Sequence, residues 1–146
     1  MNNWEDILAA VGQAAAGRSQ EAREALADCW GATGEGDYAQ RCVIAHYLAD
    51  QQDCLTDEVT WDERALEAHQ HVRDADLVPL GIMSAAAFAP SLHLNLGDGN
   101  LRLGNLEAAR THLEAARRAE HFLPCEGYGA MIRGGIDRLA HRLDAA

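Results

Sequence analysis

A chain of 146 residues is one domain's worth of protein; its 48% hydrophobic and 24% charged residues exclude a disordered chain and a collagen-like repeat. Its twelve basic residues are all Arg, and against 23 acids they leave a net charge of −11, which argues against nucleic acid or an anionic membrane as partner. No apolar run approaches the ~20 residues of a bilayer span. The opening Met1-Asn2-Asn3-Trp4-Glu5-Asp6 is acidic where a leader peptide is basic, so a cytoplasmic location is expected.

Few prolines and many alanines predict helices throughout. The first is expected from Asn3 to Ala16, with Trp4, Ile7, Leu8 and Val11 at helical spacing and Asn2-x-x-Glu5 as its cap. Gly17 ends it. A second begins at Ser19, carries Ala22, Leu26, Cys29 and Trp30 on one stripe, and stops at the glycine-rich stretch 31–36. The third, Asp37 to Gln52, is capped by Asp37-x-x-Gln40 and buries Val43, Ile44 and Leu48. A fourth starts at Thr56 and buries Val59, Trp61, Ala65 and Leu66.

Nine acids against two arginines lie between Asp50 and Asp76, read as a solvated face or, functionally, as a docking surface for a basic partner. Residues 74–89 have no clear period and are expected to connect, with one helical turn at Ser84–Phe88. Pro90 opens a fifth helix, where its missing N–H costs nothing. The sixth runs from Asn105 to Glu120 and the last from Tyr128 to Leu143. Gly134-Gly135 within that last helix implies close approach by a neighbouring helix or a second subunit.

Between Pro90 and Phe122, Leu96-Gly97, Gly104-Asn105-Leu106, Ala109, Leu113 and Ala116 fall where two antiparallel helices need small residues at their crossing and a glycine at their turn. This segment resembles a tetratricopeptide repeat. The third and fourth helices, closing on Arg64-Ala65-Leu66-Glu67-Ala68, resemble a second copy. The stretches 41–51, 61–68 and 91–96 also resemble a small bacterial group of tetratricopeptide-like proteins. The resemblance implies an all-α, TPR-like α-solenoid of about seven antiparallel helices, in one domain over 1–146. Within it, N-terminal helices occupy 1–34, hairpins 37–74 and 90–122, and a capping helix 126–145.

The same resemblance implies a non-enzymatic interaction module whose groove, lined by the first helix of each hairpin, binds a protein or peptide. Arg41, His46, Tyr47, Asp50, His93, Asn95, Asp98 and Arg102 are the groove residues it points to. A homodimer would pair the exposed ends of so short a stack.

Cys42 and His46, four apart on one helix face, suggest an alternative: a metal- or small-molecule-sensing domain completed by His93. Two ligands make no site, and the four cysteines lack C-x-x-C spacing, so no bound metal or other cofactor is expected. No G-x-S-x-G, H-E-x-x-H or P-loop occurs. A catalytic use of His46 and Asp50 would rest on analogy of fold alone.

Overall fold

The computed structural model describes residues 4–81 and 84–146. The expected cap at Asn2 and the helix start at Asn3 lie outside them. The described residues are 79% helical and contain no strand. Seven α-helices follow one another: α1 (Trp4–Ala15), α2 (Ser19–Gly31), α3 (Tyr38–Asp50), α4 (Leu55–His69), α5 (Ala89–Leu103), α6 (Leu106–Ala119) and α7 (Tyr128–Asp144).

Where about seven helices are expected, eight of seven residues or more are found among the described residues. The eighth is the 3-10 helix Asp74–Leu80, inside the segment expected only to connect. Its cause is local. At its start the Asp76 carboxylate accepts from the Arg73 backbone N–H at 3.0 Å and from the Arg73 guanidinium, Pro79 prevents an α-helical continuation, and Leu77 is fully buried. The Asp74 carboxylate then accepts the Ala85 N–H at 2.8 Å, and the single turn Ala86–Phe88 leads into α5.

Consecutive helices pack in pairs, α1 with α2, α3 with α4 and α5 with α6, while α7 lies against both α5 and α6. Most of the expected stripes are buried, but Leu8 is 43% exposed and Leu66 only half-buried. Ile7, Leu26, Val43, Ile44 and Leu48 form one cluster; Cys42, Ala65, Phe88 and Leu92 a second; Ala116, Ile132 and Ile136 a third. Trp61 is only half-buried, its ring edge-on to Trp30 at 5.0 Å. Asp37 does not cap α3 through its side chain; its carboxylate accepts the Gly34 N–H at 2.8 Å and so tightens the preceding turn.

The glycines do steric work in the C-terminal half. A Cβ on Gly97 would stand 2.5 Å from Leu139 Cδ2, so the close fit of α5 against α7 uses its absence, whereas the Ala109 carbonyl oxygen of α6, at 3.5 Å, would be in ordinary contact. Gly135 meets Leu94 in the same way, a close approach made within the chain. Gly104 ends α5 at φ 84°, in the left-handed region that permits the reversal into α6.

Candidate functional site

Two walls, from parts of the chain far apart in sequence, enclose an open cavity of ≈ 560 Å³. One wall comes from α3 and the turn before α5, and includes His46, Tyr47 and Phe88. The other is the link from α6 to α7, with Phe122, Leu123, Pro124 and the first residue of α7, Tyr128. The first wall is packed ring on ring. The His46 ring packs edge-on against Tyr47 at 5.1 Å and Phe88 at 5.2 Å between centroids. The second wall leaves Phe122 and Tyr128 49% and 44% exposed, and the Tyr128 hydroxyl is hydrogen-bonded to Ser91 on α5.

Among the described residues no charged side chain lines this cavity. Burial holds the His46 imidazole well below its usual range, at about 4. Burial also pushes the Tyr128 phenol up to about 12, and raises Tyr47 with help from the Asp50 charge. At neutral pH the walls are therefore aromatic rings and uncharged polar tips.

Behind the first wall stands a polar network. Asn95 of α5 donates from Nδ2 to His46 Nδ1 at 3.4 Å, which puts the imidazole proton on Nε2. Asn95 also hydrogen-bonds the carboxyl group of Asp62, on α4. Asp62 is only 3% exposed, and its Oδ1 has no hydrogen-bond partner. Burial, then the charges of Asp50 and Glu58, push the Asp62 carboxyl up to about 8; the Asn95 bond and Arg102 offset this only in part.

Asp50, at the end of α3, keeps solvent on one side. The protein packed round its carboxyl, followed by the Glu58 charge, raises it to about 6, and no cation offsets this. Glu58 is better served: Arg102 forms an ion pair with it and a second with Asp98 at 2.8 Å, and Asp98 also takes Arg142 at 2.7 Å.

Of the eight expected groove residues, His46 and Tyr47 line the cavity, and Asn95, Asp50, Arg102 and Asp98 belong to the network beside it. Arg41 and His93 lie apart. Arg41 covers the Trp30 ring at 5.1 Å and donates from Nε to Thr33 Oγ1. His93 faces α6, its Nδ1 3.1 Å from that of His112; burial, then the His112 charge, lower it to about 4. Cys42 is a fully buried core thiol pushed up to about 12 by burial. Among the described residues no three His, Cys, Asp or Glu side chains converge as a metal would require.

Sequence reasoning missed Asp62, Phe88, Phe122 and Tyr128 as site residues. Asp62 carried a signal, because Val59, Asp62 and Ala65 share one helical spacing and both neighbours are buried. The acids of 50–76 are thus not uniformly a solvated face. The aromatics of the second wall sit where no periodicity applies.

Fold and site together define an all-helical protein with an aromatic-walled, uncharged cavity bordered by an acidic cluster. The chain matches no protein-family model, no curated protein and no solved structure. No helix among the described residues is long and apolar enough to cross a membrane.

Proposed function

We propose that this chain is a non-enzymatic, tetratricopeptide-like interaction module that binds a peptide segment of a protein partner. On this reading the α3/α4 and α5/α6 hairpins are the repeat units, and α3 and α5 supply the binding face. The observation that carries it is the open cavity between Tyr47, Phe88, Phe122 and Tyr128, large enough to anchor one or two side chains. Exposed aromatic rings around a concave site contribute most of the binding free energy at many interfaces. The acidic cluster beside it selects a segment that also carries positive charge.

A catalytic reading gains nothing from the geometry. His46 is a part-buried neutral ring bonded to an amide, and among the described residues no carboxylate bonds it to orient it as a general base toward the Ser84 or tyrosine hydroxyls of the cavity. The metal-sensing alternative lacks a convergent ligand set among the described residues.

Selection from a random peptide library on the immobilised protein tests the module. Basic peptides with a large apolar residue are expected to enrich, and Phe122→Ser is expected to weaken them at least about tenfold, as truncating a central aromatic anchor does. A library that yields no binder, or binders indifferent to Phe122→Ser, contradicts the reading.

A further inference from the structure

We infer that the aromatic cavity receives an organic ammonium group, carried by a basic side chain of the peptide partner; the inference rests on the interaction-module reading and specifies what that module recognises. Three independent features converge on a cation with an apolar coat.

The first is the walls. Four aromatic rings, Tyr47 and Phe88 on one side and Phe122 and Tyr128 on the other, border one space. Ring faces carry negative charge density and attract an ammonium group most strongly where water is scarce. A hydrophobic ligand alone needs no such concentration of rings, because leucine or valine walls serve equally well.

The second is the charge behind the walls. Asp50 has no cation against it, and Asp62 holds an unpartnered oxygen while only 3% exposed. An unpaired buried carboxyl oxygen is costly, and proteins satisfy nearly all such groups. The cluster joins the cavity through two wall residues: Tyr47 feels the Asp50 charge, and His46 is bonded through Asn95 to Asp62. A cation between the rings would therefore sit in the field of the Asp50 carboxylate, which no cation offsets among the described residues.

The third is what the cavity lacks. Among the described residues no Arg lines it, and Arg102 and Arg142 are paired with Glu58 and Asp98. Arg133, behind the second wall, spends its donors on the carbonyls of Glu120, Leu123 and Pro124, so its guanidinium does not fill the space. A metal ion does not fit, since ring faces offer no ligand atoms and no three donors converge among the described residues.

Choline and its uncharged carbon isostere, 3,3-dimethylbutan-1-ol, separate charge from shape. In NMR titrations of the full chain, choline is expected to perturb Tyr47, Phe88, Phe122 and Tyr128 and to bind at least about fivefold more tightly than the alcohol. Asp50→Asn is expected to weaken choline two- to fivefold and leave the alcohol unchanged, while Phe122→Ser weakens choline with the helical content intact. Equal binding of the two probes, or choline binding insensitive to both substitutions, overturns the inference and leaves a plain apolar anchor site in which the module reading survives. No binding of choline at all also overturns it. Choline binding as expected, with an empty peptide selection, upholds the cation site and removes the peptide module instead.

Discussion

The α3/α4 hairpin and the C-terminal part of the chain, α5 to α7, treat their charges in opposite ways. From α5 onward the acids and arginines find each other: Asp98 takes Arg102 and Arg142, and Arg117 reaches Asp137 at 3.3 Å. Arg133 donates to the carbonyls of Glu120, Leu123 and Pro124, fastening the link between α6 and α7. On α3 and α4, Asp50 and Asp62 stand without a cation, and only Arg102 from α5 reaches across to Glu58. One region has settled its electrostatics internally. The other leaves Asp50 and Asp62 without an ion pair among the described residues.

That contrast can be broken from the stable side first. A Cβ on Gly129 would overlap the Pro124 carbonyl oxygen, and backbone cannot move aside as a side-chain tip can. Gly129→Ala is expected to cost about 3 kcal/mol or more in urea unfolding, at the upper end of overpacking effects. A loss below about 1 kcal/mol would show that the link between α6 and α7 adapts readily, and the second wall of the cavity with it.

Asp62 sharpens the other side. An unfolded aspartate keeps its proton only below about pH 4, whereas Asp62 in the folded chain keeps it up to about 8. Between those values the folded state binds more protons, so this group's contribution is full below the lower value and is lost as pH rises through the upper one. Asp62→Asn is expected to flatten that decline and to stabilise the protein by about 1–3 kcal/mol at pH 8.5, the cost of an unsatisfied buried group. A variant with the same pH profile as the parent would place the unfavourable charge elsewhere.

The smallest effect belongs to the settled network. Asp98→Asn removes the acceptor shared by Arg102 and Arg142, both part-exposed, and is expected to cost about 0.2–1 kcal/mol at low salt and less in molar salt.

These particulars mark what the sequence could disclose. Helices α1 to α7 were legible because Ile7, Leu26, Ile44, Leu96 and Ile136 recur with their neighbours at a helical period and are buried. Gly97 was legible for the same reason, since a small residue between Leu96 and Ala109 has a steric use. The 3-10 helix Asp74–Leu80 was not, because its three-residue period matches neither pattern and its stability comes from one turn of side-chain hydrogen bonds and one buried leucine. The network was half legible: His46, Asn95, Asp98 and Arg102 stood out as polar residues on apolar faces, yet nothing local told Asp98, which is paired, from Asp50, which is not. Arg41 and His93 were included on the same grounds, but their positions turn them toward Trp30 and His112. The cavity itself joins residues 47, 88 and 122–128, a juxtaposition only the fold creates.

The most direct test of the binding face is backbone and side-chain NMR of the full chain during titration with a basic peptide from the library selection. The account predicts shifts at Tyr47, Phe88, Phe122 and Tyr128, smaller ones at Asp50 and Asn95, and none at His93, His112 or the Arg41–Trp30 stack. Shifts centred on His93 and His112, with the aromatic cavity silent, would contradict it.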